Sequence, residues 1–323
     1  MADVMIVGAG VVGQATGKGL TKKGHSIIFV DKNNLVIRAL EKDGYNALFP
    51  EQIDAINADI SMFSVPTPTR EDGSTDLSYI ASAIMNHAKW MKTKKGSRKY
   101  HVVVIRSTVP PTTTQDILLP LLETHSGMKA GKDFGLCMQP EFLRNAFSEQ
   151  DFINPRIIVI GEFDKRSGDI IEKIYQDFSS DIVKVDLKTA EFMKYVHNCF
   201  NAAKISFSNE MWLLGRKLGI DANLALQLAS SSAEGYWNPK YGVVAGAPYG
   251  GACLPKDVKS FLTFAKSINM EMPLLSAVMS INENIESLNK MKQQVQSPNL
   301  SHIKRKGEYY MSRQQEEQTI AGN

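Results

Sequence analysis

A strand, a glycine-rich turn and a helix in immediate succession constrain this chain more than any other feature. Val4-Met5-Ile6-Val7 reads as a buried strand, and Gly8-Ala9-Gly10-Val11-Val12-Gly13 leads from it into a helical stretch over 11–23. This is a GxGxxG run in the context that gives such a run its meaning. Gly8 permits the tight turn, Gly10 lets a pyrophosphate approach the backbone, and Gly13 allows the helix to pack closely on the strand. The first residues of the helix, Val11 and Val12, present free N–H groups and the positive end of the helix dipole to phosphates. Asp31 ends the next strand, Ile27-Ile28-Phe29-Val30. A carboxylate at that place bonds the hydroxyls of the adenine ribose and repels a 2′-phosphate, so NAD is the expected cofactor rather than NADP.

The first half of the chain continues the alternation. Apolar runs at 26–30, 60–65, 102–105 and 157–160 read as buried strands, and helical stretches such as 11–23 and 77–91 lie between them. That order predicts an α/β fold, a doubly wound parallel sheet of the Rossmann type covered on both faces. Near Asp186 the pattern changes to helices alone. Helical apolar spacing runs from Leu187 to Leu218, Gly219 is placed to stop it, and Asp221 is placed to cap the next helix. A Gly/Pro-rich loop over 235–255 and helices over 256–267 and 274–295 follow. The expected division is an NAD-binding domain at 1–186, an all-helical domain carrying a cysteine loop at 187–295, and a polar, disordered tail at 296–323.

Composition narrows the partners. A chain of 323 residues with 43% hydrophobic and 22% charged residues has the make-up of a soluble globular protein with two ordinary domains. Its net charge of +3 is small and its basic residues are scattered, which gives no reason to expect nucleic acid or an acidic membrane surface as partner. No apolar run approaches the roughly 20 residues that span a bilayer. The first strand begins almost at the start, which leaves no room for a signal peptide. Three widely spaced cysteines, Cys137, Cys199 and Cys253, do not make a disulfide framework. The expectation is a cytoplasmic protein with reduced thiols and no metal site.

Gly250-Gly251-Ala252-Cys253-Leu254-Pro255-Lys256-Asp257 is the stretch richest in chemistry. Pro255 suits the first turn of a helix, which puts Cys253 just before that helix begins. The dipole there, with Lys256 close by, favours the thiolate. Asp257 lies one helical turn beyond the thiol, within reach to handle protons or water.

Here the chain resembles the UDP-glucose/GDP-mannose dehydrogenases, whose catalytic cysteine lies in a Gly-Gly-x-Cys-x-Pro-Lys-Asp signature. Other segments resemble the family in the same order. Val65-Pro66-Thr67-Pro68 and Ser107-Thr108-Val109-Pro110 look like two of its loops beside the cofactor. Pro140-Glu141-Phe142-Leu143-Arg144 looks like the segment that bears its catalytic glutamate. Ala190-Glu191, Lys194 and Asn198-Cys199-Phe200 look like its central helix. The resemblance implies oxidation of a nucleotide-sugar C6 alcohol to a carboxylate with two NAD, through a thiohemiacetal and a thioester on Cys253. It implies that Lys194 and Asn198 stabilise an oxyanion, that Asp257 and Thr108 handle water, and that Glu141 is general base and acid. Cofactor contacts are implied for Val65, Pro66, Thr67, Ser107, Thr108 and Lys256. Substrate contacts are implied for Phe142, Leu143 and Arg144, and for Lys240, Tyr249 and Gly250. It also implies a homodimer built through the central helices.

The chain departs from the family pattern in three places. Past Glu286 it has too few residues, and too polar ones, for the family's third domain, which grips the uridine diphosphate. Asn145 stands where the family has an acidic residue, and Lys240 stands where it has an arginine, whose bidentate fork lysine lacks. These differences fall on substrate binding, so the chain by itself is expected to bind NAD and to turn over UDP-glucose poorly. Two other readings stay open: a one-step dehydrogenase of a smaller hydroxy compound, and an NAD-binding dimeric remnant without turnover.

Overall fold

The computed structural model describes residues 1–94 and 100–295; the tail expected over 296–323 lies outside them. Two compact units divide inside one long helix, the first spanning Met1–Cys199 and the second starting at Phe200.

The first unit is built on a single sheet. Its described strands are β1 (Asp3–Val7), β2 (Ser26–Val30), β3 (Asn46–Leu48), β4 (Ile60–Phe63), β5 (His101–Ile105), β6 (Phe134–Met138), β7 (Ile158–Glu162) and β8 (Ile182–Asp186). They lie in the order β3-β2-β1-β4-β5-β6-β7-β8. Strand order reverses between β1 and β4, the place where an open α/β sheet leaves a crevice at the carboxyl ends of its strands. Pairing is parallel except between β6 and β7, where Cys137 faces Glu162 and Met138 faces Gly161 in antiparallel register. The sheet is therefore mixed rather than wholly parallel. The chain between these two strands forms only a single 3-10 turn and a short helix, which do not carry it back across the sheet as a full crossover helix would.

The helices of this unit are α1 (Val11–Lys22), α2 (Asn34–Lys42), α3 (Ser78–Thr93), α4 (Leu119–Ser126), α5 (Ser148–Ile153) and α6 (Lys165–Ile174). They cover both faces and create two cores. One gathers Leu20, Phe29 and Ile171 with the alternate residues Val4 and Ile6 of β1. The other gathers Ile80, Ile84, Trp90 and Leu122 with Met5. Every residue of β5 is buried, as expected of a central strand covered twice.

Helix α7 (Leu187–Leu218) starts directly after β8 and continues into the second unit. Asp186 caps it, accepting from the Thr189 backbone N–H at 3.0 Å. Gly219, at φ 68°, ends it, and Ile220 N–H bonds back to Gly215 at 2.9 Å. Beyond α7 the described residues of the second unit form helices only: α8 (Ala222–Ser232), α9 (Glu234–Trp237), α10 (Leu254–Ser267) and α11 (Pro273–Val295). Asp221 caps α8 through Leu224 N–H at 3.1 Å. This unit has a small buried core of Leu214, Ala265 and Met272. All three cysteines are free thiols; Cys137 is buried, whereas Cys199 and Cys253 are exposed.

Candidate active site

The glycine turn has the geometry its sequence demands. Gly8 sits at φ 89°, and its N–H bonds Val30 across to β2 at 2.8 Å. A Cβ on Gly13 would lie 1.9 Å from the Gly8 carbonyl oxygen, so a side chain there forces helix and strand apart. A Cβ on Gly10 would meet nothing within 4 Å, which is the open approach a pyrophosphate needs. Gly10 precedes the first turn of α1, where Val11 and Val12 stand. Asp31 reaches back to the turn: one carboxylate oxygen accepts from Ala9 N–H at 2.7 Å and the other from Asn33 N–H at 2.8 Å. Each oxygen keeps a lone pair for a ribose hydroxyl.

At the point of strand reversal lies a cavity of about 480 Å³ lined by Gly8, Gly10, Asp31, Val65 and Pro66, all expected at the cofactor. Its lining also includes residues not selected from the sequence: Lys32, Val36 and Ile53, and Tyr79, Ser82 and Ala83 of α3. Lys32 lies over the Tyr79 ring at 4.7 Å. Volume, apolar wall, left-handed turn and open Gly10 fit the adenosine half of NAD. No GxGxxG-type signal marks the α3 wall, because a helix face that contacts a flat ring needs only small or aromatic residues at helical spacing.

Two further loops are tied together beside this crevice. Ser107 Oγ donates to the Val65 carbonyl at 2.7 Å, and Thr67 Oγ1 donates to the Thr108 carbonyl at 2.7 Å. Each hydroxyl thus braces the loop of the neighbouring strand.

Lys194 and Glu141 form the most buried ion pair among the described residues of the first unit. Lys194 Nζ lies 2.9 Å from Glu141 Oε1 and 2.5 Å from the Glu141 carbonyl oxygen, with side-chain exposures of 7% and 13%. Lys194 is therefore not a solvated helix lysine. Glu141 Oε2 accepts from Leu143 N–H at 2.7 Å, which fixes the carboxylate at both oxygens. The Phe142 ring lies 4.8 Å from that of His197 at a tilt of 43°, and the Lys194 ammonium sits 5.5 Å over it. Burial, with the Lys194 charge second, pushes the His197 pKa down. Asn198, one turn after Lys194 and so on the same helix face, is exposed. Arg144 is clamped by Asp151, which accepts from its Nε at 3.0 Å and its Nη2 at 2.7 Å. That bond, above all, holds the Asp151 carboxyl down at about 2.

In the second unit Cys253 occupies the N-cap position of α10, with Pro255 in the first turn and the Cys253 carbonyl accepting from Asp257 N–H at 2.8 Å. Its thiol is exposed. Asp257 and Lys256 pair with each other at 2.5 Å, with side chains 65% and 69% exposed. Lys240 N–H is held by Asn238 Oδ1 at 3.0 Å in an exposed turn. Tyr249 is half-buried, and Gly250 is exposed. No cluster of three metal-ligating side chains occurs among the described residues. No helix among them is long and apolar enough to cross a membrane.

Comparison with known proteins gives this geometry a family. Residues 49–179 match the NAD binding domain of the UDP-glucose/GDP-mannose dehydrogenase family, and residues 188–284 match its central domain. Residues 4–87, which include the glycine turn, also match ketopantoate reductase PanE/ApbA. A GDP-mannose 6-dehydrogenase of Pseudomonas savastanoi pv. phaseolicola is 33% identical over 304 residues, covering 86% of this chain and 67% of the relative. The chain belongs to the UDP-glucose/GDP-mannose dehydrogenase family. A UDP-glucose 6-dehydrogenase of Haloferax volcanii is 28% identical over 308 residues, covering 87% of this chain and 69% of the relative. Among solved structures, a ternary complex of GDP-mannose dehydrogenase from Pseudomonas aeruginosa aligns with a TM-score of 0.82 at 30% identity, covering 92% of this chain and 71% of that one. This member of the dehydrogenase family is an NAD-dependent oxidoreductase, and it spans about two thirds of the length of the relatives it matches.

Proposed function

We propose that the chain is a nucleotide-sugar 6-dehydrogenase of the UDP-glucose or GDP-mannose class, working by two successive oxidations with Cys253 as nucleophile. The observation that carries the reading is the exposed thiol of Cys253 at the N-cap of α10, inside the signature that marks the family's catalytic cysteine. A thiol buried in a helix core would speak against it.

NAD, held by the glycine turn and Asp31, supplies the acceptor for the hydride lost at each oxidation. The protein's own groups do the rest. As the alcohol becomes an aldehyde its hydroxyl proton passes to the water that Asp257 and Thr108 hold, and Glu141 serves as general base and acid around thioester formation and hydrolysis. The Cys253 sulfur then adds to the carbonyl carbon, and the resulting thiohemiacetal oxygen is stabilised by Lys194 and Asn198. Loss of the second hydride leaves a thioester. Water, positioned by Asp257 and Thr108, breaks the carbon–sulfur bond and returns the thiol with a carboxylate product. Lys194 keeps one N–H for this task, because Glu141 takes two of its three. Substrate contacts are assigned to Phe142, Leu143 and Arg144, and to Lys240, Tyr249 and Gly250. Self-association through the helices of the second unit belongs to the same reading. It is supported by large apolar side chains standing exposed there, among them Ile205, Leu228 and Ile281.

The test is NADH formed per molecule of substrate, with UDP-glucose, GDP-mannose and UDP-N-acetylmannosamine each offered to the purified chain. Two NADH per substrate, lost in Cys253→Ser, supports the reading. One NADH per substrate, retained in Cys253→Ser, replaces it with a simple one-step dehydrogenase.

A further inference from the structure

The segment that delivers Cys253 forms turns but no helix or strand of its own. Between α9 and α10 it contains left-handed glycines at Gly242, Gly246 and Gly251, and the residues around Cys253 are exposed. A glycine-rich stretch of this kind samples many conformations unless something outside it removes them. Helix α11 supplies two such restraints.

Asn282, 7% exposed on α11, meets the backbone of Tyr249 at both of its polar groups. Its Oδ1 accepts from Tyr249 N–H at 2.7 Å, and its Nδ2 donates to the Tyr249 carbonyl at 3.1 Å. The amide thus pairs with a single loop residue as a neighbouring strand would. Its orientation is fixed by the network, because Nδ2 also faces Glu286 Oε1 at 3.2 Å, an atom that only accepts when the carboxyl is ionised. Two turns further along the same face of α11, Asn289 Nδ2 donates to the Gly246 carbonyl at 3.0 Å. Two rungs therefore tie the loop to α11, and the nearer one lies four residues before Cys253.

We infer that Asn282 is a positioning residue for the nucleophile: by bonding both backbone groups of Tyr249 it sets the entry of the chain into α10 and so holds the Cys253 sulfur at the helix N-terminus. This rests on the reading of Cys253 as nucleophile. A residue with a merely structural role would alter stability and leave the ionisation-dependent reactivity of the thiol untouched.

The experiment uses the full chain carrying Cys199→Ser, so that Cys253 is the exposed thiol that iodoacetamide reaches. The readout is the alkylation rate at pH 7 divided by that at pH 10, a ratio that separates thiolate formation from access. Asn282→Ala is expected to lower this ratio about fivefold, and Asn289→Ala about twofold, without loss of NAD binding. Asn282→Asp keeps the acceptor for Tyr249 N–H but turns an oxygen towards the Tyr249 carbonyl and Glu286 Oε1, so it is expected not to restore the ratio; Asn289→Ala carries the test should Asn282→Ala not fold. A ratio in Asn282→Ala equal to that of an activated parent overturns the positioning role alone. A parent whose Cys253 reacts at pH 7 no faster than glutathione overturns the nucleophile reading, and this inference with it.

Discussion

The two units of this chain solve the problem of stability in opposite ways. The first buries its large apolar side chains in two cores, one on each face of the sheet. Among its described residues the second buries a core of three and leaves Ile205, Leu228 and Val243 at 63%, 64% and 69% exposure. An α/β sheet with helices on both faces closes its own hydrophobic account, whereas a few helices with apolar residues all round do so only against another surface. One device is common to both units, and it sits on the helix they share. Glu191 of α7, fully buried, accepts Thr112 N–H at 2.5 Å and Thr114 N–H at 2.7 Å. Glu210, further along, accepts Leu274 N–H at 2.7 Å and Leu275 N–H at 3.0 Å and so caps α11. The first carboxylate anchors the segment after Ser107 and Thr108, in which Thr112 is held at φ 79°, a strained value for a β-branched residue. The second anchors the helix whose asparagines hold the cysteine loop.

The largest expected effect separates chemistry from binding. Cys253→Ser blocks the second oxidation, so steady-state NADH formation falls by at least about a thousandfold once the first equivalent is made, while the first unit still binds NAD, as followed by fluorescence titration. Substantial turnover in this variant would remove the second unit from the chemistry. Gly13→Ala is the mirror experiment. The new Cβ falls against the Gly8 carbonyl, so overpacking costs about 1–3 kcal/mol and NAD affinity falls, with Cys253 alkylation unaffected.

The two buried carboxylates come next. Glu191→Ala strips two buried N–H groups of their acceptor and is expected to cost about 2–5 kcal/mol. Glu210→Ala removes a helix cap and costs about 1–2 kcal/mol. Denaturant melts of both variants decide whether the units are independent. A low first transition in Glu210→Ala, with NAD binding intact above it, means the second unit opens alone. A single shared transition in both variants breaks the contrast drawn above.

How much of this was legible in the sequence follows from where the restraints lie. The first βαβ unit, the ends of α7 and the cap at Asp221 carry local signals, since glycine conformation and capping act within a few residues. Strands β3, β6 and β8 carry none. The three residues of β3 are too few to show a period. In β6 a glycine interrupts the apolar run, and β8 lies at the sheet edge with only partial burial. The reversal at β6–β7 is likewise invisible, because pairing direction depends on the path of the chain between strands. Among the candidate site residues, Cys253, Asp31 and the glycines announce themselves by type and spacing. Asn282, Glu191 and the Tyr79 wall do not, because each acts on backbone or flat surface distant in sequence.

A smaller effect on folding probes the exposed faces. Ile205→Asp combined with Leu228→Asp changes the stability of a single chain by no more than about 1 kcal/mol, as surface positions do. Sedimentation of the same variant is expected to show loss of self-association. A chain that sediments as a monomer before substitution would mean that the second unit's open apolar surface is not covered by another copy.

The smallest effect lies on the surface of the first unit, in the Arg144–Asp151 clamp. The Arg144 guanidinium lowers the folded-state carboxyl of Asp151 to about 2, below its ordinary value. A group depressed in this way stabilises the fold at pH values above the unfolded carboxyl range, and the contribution fades as pH falls through about 4 towards 2. Burial raises Glu191 instead, so protonation of that group favours the folded state and opposes the loss. Asp151→Asn is therefore expected to leave stability at pH 7 slightly reduced and to flatten its decline between about pH 4 and pH 2. The measurement is urea unfolding of the parent and variant across that window. A variant that loses stability on acidification as steeply as the parent would assign the acid sensitivity of the first unit to other carboxylates.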